Sequence, residues 1–333
     1  MLFGEHLDMS SVETSVTPAR RVLSDKPTAR ADKIFYGLSR LAAYSAIVLV
    51  GLILFFLAWQ AWPTFQSQGI DFLLGSKWDT ASETKTYQIF PMLWGSILIS
   101  AIGAAIAIPM GLSLAYFTEF VAGRKLAAFV TSVVDLLAAL PSVIIGLWGA
   151  LVFTPIAVEW SKILNQYLGF IPIFENKSET FPGSPFIAGW IVAVMIVPII
   201  TSVSREVFSQ IDRDLINGAL GLGAGRAAIF TKVILPTARG GVVGGILLAI
   251  GRALGETVAI FYVLTMTFKV NWYQVLEGHG GSIASFIIGQ FGEAEGPTIS
   301  ALMAAGVVLF AVSLVINFVA GSIVARAARK GKF

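Results

Sequence analysis

GGVVGGILLAIGRALGETVAIFYVLTM, residues 240–266, runs for 27 residues with two charged side chains, Arg252 and Glu256. An α-helix rises about 1.5 Å per residue, so roughly 20 residues cross the ~30 Å hydrocarbon core of a bilayer. The run therefore predicts a membrane-spanning helix with Arg252 near mid-depth. A lone charge there costs about 2.5–3.5 kcal/mol on insertion scales. Glu256 follows four residues later, on the same face of a continuous helix, and can partner it. A charge pair at that depth marks a functional site, since leucine serves a plain anchor better. The competing reading is a structural ion pair that fixes helix register; such pairs contribute little net stability, which weighs against it.

The rest of the chain is equally apolar. Of 333 residues, 56% are hydrophobic and 13% charged, and the mean hydropathy is +0.79, outside the range of soluble domains. Absence of cysteine excludes disulfides and thiol chemistry. The two histidines, His6 and His279, are far apart in polar segments, which argues against a metal centre.

Six apolar segments can be drawn at about residues 38–62, 92–118, 126–158, 186–204, 238–267 and 298–325. Pro141 interrupts the third and Pro198 the fourth, as happens in helices packed inside a bundle. The expected fold class is all-α, a polytopic membrane protein of six transmembrane helices. Its expected parts are a polar tail at residues 1–37, a six-helix domain at 38–325 containing a connector at 204–237, and a basic tail at 326–333. The first 37 residues lack the apolar core of a secretory signal, so the first segment is expected to stay in the membrane.

Lys and Arg set the orientation. Seventeen lie in the N-terminal tail with the start of the first helix, the second-to-third and fourth-to-fifth connections, and the C-terminal tail. Five (Lys77, Lys85, Lys162, Lys177 and Lys269) lie in the alternate loops. This predicts a multi-pass protein of the plasma membrane with both termini cytoplasmic. The pI near 9.1 is then a topology signal and contact with anionic lipid, not a sign of nucleic acid. Trp62, Trp78 and Trp272 in the alternate loops read as interfacial anchors. Asn176-Lys-Ser178 matches a glycosylation sequon, a pattern common by chance.

The connector SREVFSQIDRDLINGALGLGAGRAAIFTKVILPT, residues 204–237, is semi-apolar. It predicts two short helices around Gly221, Gly223 and Gly225, with Pro236 stopping the second and redirecting the chain into the membrane. Two readings fit its apolar residues: a docking surface for another protein, or a helix lying on lipid headgroups. Gly223-Ala-Gly225-Arg-Ala-Ala228 matches a dinucleotide fingerprint formally but has no strand before it and no βαβ unit around it. No phosphate-loop motif, nucleophile elbow or zinc motif occurs.

The connector resembles the EAA motif of bacterial ABC importer permeases: E-A-A, three residues, G, nine residues, I-x-L-P. Its counterparts here are Asn217, Gly218 and Ala219, then Gly223, then Val233, Leu235 and Pro236. Asn217 stands in place of the usual Glu and Gly218 in place of the usual Ala. GRALGETVAI (residues 251–260), DLLAALPSVIIGLWG (135–149), WPTFQSQGIDFLLGSKWD (62–79) and GGSIASFI…ISALMAAGVVLF (280–310) narrow the resemblance to a permease subunit of bacterial phosphate importers. It covers the chain from about residue 62 onward. Asp135 stands where that family more often has Glu.

The resemblance implies an ABC importer permease (MetI-like) fold and a non-catalytic subunit that moves inorganic phosphate into the cytoplasm. It implies pairing with a second permease subunit, a partner ATPase dimer that binds the ATP and Mg, and an extracytoplasmic phosphate-binding protein. No cofactor is expected in this chain. It also implies that the connector is a coupling helix docking on the ATPase, and that Arg252 and Glu256 take part in anion passage. Asp135 is expected to face an interface or pair with a basic residue of the second permease, and Pro141 and Ser142 to set a helix break. The alternatives are a permease for sulfate or molybdate, against which GRALGET argues, and a transporter independent of any ATPase, which leaves the connector without a purpose.

Overall fold

The computed structural model describes residues 30–330 except 179 and 182, so the first 29 residues of the expected tail and His6 lie outside it. Two compact units are present, Met1–Ile53 and Leu54–Phe333. The first contributes the opening part of helix α1 (Arg30–Gln68), where Ile34, Leu41, Ile47 and Leu52 are exposed. Helix is thus already present at Arg30, the first described residue, so residues 30–37 belong to α1 and not to the expected polar tail.

The second unit holds the rest of α1 and the elements after it. They are α2 (Asp71–Leu74), the strands β1 (Trp78–Asp79) and β2 (Thr86–Tyr87), α3 (Phe90–Tyr116), α4 (Arg124–Ala139), α5 (Ser142–Trp148), α6 (Thr154–Leu168) and α7 (Pro185–Ser209). Then come α8 (Arg213–Gly221), α9 (Arg226–Ile229), α10 (Leu235–Leu254), α11 (Val258–Val263), α12 (Ile283–Phe291) and α13 (Pro297–Lys330). The basic residues Arg326, Arg329 and Lys330 therefore belong to α13, not to a separate tail.

Among the described residues, six helical stretches are long and apolar enough to cross a membrane: Asp32–Gln68, Phe90–Val121, Ser142–Leu168, Pro185–Ser209, Arg226–Leu254 and Pro297–Val319. Six were expected, and the third and fifth differ most in place. The third is split at Leu140–Pro141, and its spanning part runs on to Leu168. The fifth begins at Arg226 and stops at Leu254 instead of running to residue 267. Pro236 does not stop a helix either. It sits in the first turn of α10, directly after a π-helical turn at Phe230–Ile234, where a shifted hydrogen-bond pattern tolerates a residue without N–H. Pro198 likewise lies inside an unbroken α7, buried among neighbours.

α7 is the centre of the unit. It runs parallel to α3 with close contact: a Cβ on Gly103 would stand 2.9 Å from Val192, and one on Gly189 2.4 Å from Ile102. Small residues let the two backbones approach, the usual device where lipid offers no hydrophobic drive between helices. Around this pair Ile99, Ala107, Val192, Ile196, Ile200, Ala249, Ala253 and Ile260 form one buried cluster. At one end Phe72, Tyr87, Ile89, Met92, Ile283 and Leu302 pack beside the hairpin. At the other, Phe208, Ile211, Ile229, Ile234 and Val242 pack beneath α8.

The hairpin pairs Trp78 with Tyr87 and Asp79 with Thr86. Its turn is held by the Asp79 carboxylate, which accepts N–H bonds from Ala81 and Ser82 at 3.1 Å and the Ser82 hydroxyl at 2.5 Å. These bonds, led by those from Ser82 and helped by Lys77, bring its pKa from 3.8 to about 2.

Candidate functional site: a broken span at mid-depth

α10 packs antiparallel on α7. Gly241 lies against Val207 and Gly245 against Val203. Beyond the end of α10 the same register continues, because Thr265 donates its N–H to the Gly183 carbonyl at 3.1 Å. Arg252 accordingly stands opposite about Ile196, in the middle of the span Pro185–Ser209.

The expected Arg252–Glu256 pair is not formed. α10 ends at Leu254 with Gly255 as its cap, and Glu256 lies in the three-residue break before α11. Glu256 is 8% exposed, and its Oε1 accepts the Ala259 N–H at 3.3 Å, closing the first turn of α11. Arg252 is exposed on α10 and makes no ion pair with Glu256 or any other described residue. The physical reason is local. Gly255 is a poor helix residue, and the Glu256 carboxylate and the Thr257 hydroxyl, which donates to the Gly255 carbonyl at 3.0 Å, compete with the helix for backbone groups.

A break at this depth needs its polar backbone covered. Ser285 of α12, fully buried, donates its hydroxyl to the Thr257 carbonyl at 2.9 Å. α5 supplies the other wall. It runs parallel to α11, with Gly146 2.8 Å (as Cβ) from Ala259 Cα and Gly149 3.2 Å from Val263. Counting back one turn along both helices sets the Leu140–Pro141 break beside the Gly255–Thr257 break. The structure thus brings Pro141 and Ser142 to the same level as Glu256. Asp135 is exposed on α4, about one turn beyond Thr131, whose hydroxyl accepts from Arg205 of α7. Adjacent discontinuous helices are a recurring way to build a solute site inside a membrane. Ser285 was not singled out from the sequence; its spacing from Ser282, the N-cap of α12, was the available signal.

The connector forms one separate short helix, α8, while α9, expected as a second, runs on through the π-helical turn into α10. Asn217 and Gly218 point outward on α8, together with exposed Leu215 and Leu220, and Leu222 beyond is 91% exposed. Ala219, Val233 and Leu235 turn inward against the cluster beneath α8. Gly223 closes α8: its φ is +78°, its N–H reaches the Leu220 carbonyl at 2.9 Å, and Ala224 N–H reaches the Ala219 carbonyl at 3.0 Å. That pair of bonds is the Schellman motif, which favours glycine at its left-handed position. Arg213 at the start of α8 lies 3.7 Å from Glu119 in the π-helical turn after α3. Pro236, exposed, opens α10.

The family described as "Binding-protein-dependent transport system inner membrane component" matches residues 107–330. The phosphate transport system permease protein PstC of Xylella fastidiosa (strain Temecula1) is 35% identical over 326 residues, covering 96% of this chain and 97% of that one. The protein of the same name from Haemophilus influenzae is 36% identical over 291 residues, covering 86% and 90%. Among solved structures, a bacterial ABC transporter involved in import of the acidic polysaccharide alginate aligns with TM-score 0.51 at 18% identity, covering 88% of this chain and 99% of that chain.

Proposed function

This chain belongs to the family of binding-protein-dependent transport system inner membrane components, with the ABC importer permease (MetI-like) fold, and on that premise we propose that it moves inorganic phosphate into the cytoplasm. The observation that carries the substrate is the near full-length relationship to phosphate permeases. Arg252 supplies matching chemistry. Phosphate cannot enter hydrocarbon without compensating charge, and a guanidinium offers five donors in a planar fork that fits its oxygens. Glu256, one turn away and committed to α11, adds a negative charge that limits how tightly an anion is held. Release matters as much as capture in a conducting site.

ATP and Mg belong to a partner ATPase dimer (PstB-like), and this chain needs no cofactor of its own. The exposed leucines of α8, with Asn217 and Gly218 beside them, are the surface that dimer covers. From Leu235 to Arg252 the chain is one helix, so a displacement at α8 reaches Arg252 through a single rigid element about 25 Å long. A second permease subunit (PstA-like) completes the path, covering the exposed Arg252 face, and an extracytoplasmic phosphate-binding protein (PstS-like) delivers the anion. The basic-residue bias places α8 and both termini in the cytoplasm.

The test is labelled-phosphate uptake in cells lacking this subunit, complemented with wild type, Arg252→Gln or Gly223→Asp. Both variants are expected to insert and fail to transport, and only Gly223→Asp to lose co-purifying ATPase. Wild-type uptake by Arg252→Gln removes the arginine from the path. Uptake that survives loss of the ATPase overturns the importer, and sulfate or molybdate uptake in place of phosphate changes the substrate.

A further inference from the structure

Two polar side chains on the packed helices α10 and α13 lack partners among the described residues. Asn317 is the one amide side chain in α13. Its Oδ1 is buried and accepts no hydrogen bond among the described residues. α13 packs antiparallel on α10, with Gly321 against Leu247 and Gly251 against Asn317; a Cβ on Gly251 would meet the Asn317 Nδ2 at 3.5 Å and Oδ1 at 4.0 Å. The residue after Gly251 is Arg252, exposed and likewise without a hydrogen-bond or ion-pair partner among the described residues. Five donors on the residue after Gly251 and one orphaned acceptor against Gly251 therefore stand where two packed helices meet. Glu256 does not fill this role, since its carboxylate closes α11.

We propose that Asn317 is a positioning residue for Arg252: its side-chain carbonyl receives the guanidinium between anion passages and sets the fork toward the path when phosphate arrives. A neutral acceptor suits this use. It satisfies an arginine without cancelling its charge, whereas a carboxylate would compete with the anion. The absence of a side chain at Gly251 leaves room for the amide against α10. The inference rests on the phosphate reading of Arg252.

The experiment uses the complete importer in proteoliposomes, with inorganic phosphate, the binding protein and ATP, and reads phosphate moved per ATP hydrolysed for each assembled complex. Asn317→Leu is expected to lower that ratio about tenfold, in line with loss of one charge-assisted bond, while ATP hydrolysis stimulated by the binding protein persists. Asn317→Gln, which keeps an amide carbonyl, is expected to restore most of the ratio. A structural role alone lowers transport and hydrolysis together and leaves the ratio unchanged; that result overturns the proposal. So does Asn317→Gln being as impaired as Asn317→Leu. Arg252→Gln in parallel separates the two ideas: if it transports normally, the phosphate role of Arg252 falls; if it fails while Asn317→Leu is normal, Asn317 alone falls.

Discussion

Glu256 holds α11 through one side-chain oxygen, and that makes its charge and its cap separable. Glu256→Gln keeps an oxygen for the Ala259 N–H, whereas Glu256→Leu removes it. Loss of such a cap costs about 1 kcal/mol. Thermal unfolding of the purified complex should therefore show Glu256→Leu melting lower than Glu256→Gln. Equal melting of the two would show that the cap contributes nothing. Asp79 offers a pH test at the same scale. Its carboxyl is held below its ordinary value, at about 2 instead of 3.8, so its stabilising effect is complete above about pH 4 and is lost as pH falls through about 2. Protection of the Ala81 and Ser82 amides, relative to their intrinsic exchange at each pH, should fall across that window in wild type. In Asp79→Asn it should be lower at neutral pH and show no such acid step.

At the scale of the element, one motif glycine lies inside α8 and another just beyond its end, with opposite roles. Gly223 occupies a left-handed position that a Cβ strains by about 1–2 kcal/mol, while Gly218 sits inside the helix with nothing within 4 Å of an added Cβ. Gly223→Ala should therefore weaken α8 and its co-purification with the ATPase. Gly218→Ala should strengthen the helix by up to about 1 kcal/mol, and leave co-purification intact. A reversed order would show that the outward face of α8, not its helical integrity, governs docking. The two spans broken at Leu140–Pro141 and Gly255–Thr257 differ in how legible they were. Proline announces the first break. No proline marks the second, which arises from a poor helix former followed by side chains that capture backbone groups, inside an unbroken apolar run.

For the whole molecule, the bias of basic residues predicts that reporters fused after Arg226 or near Lys330 report from the cytoplasm, and one fused near Glu293 from the outside. The reverse pattern would invert the importer reading. Apolar run length determined the number of spans and the membrane class, because each follows from composition along a single helix. The semi-apolar pattern around Gly221, Gly223 and Gly225 foresaw the short helix α8 for the same local reason. Only the tertiary structure decided that Glu256 leaves Arg252 to close α11, that the breaks of two spans lie side by side, that Ser285 seals one of them, and that Asn317 meets α10 at Gly251. Those facts depend on which residues from distant segments share a level, and a buried polar group takes whichever partner packing brings within reach.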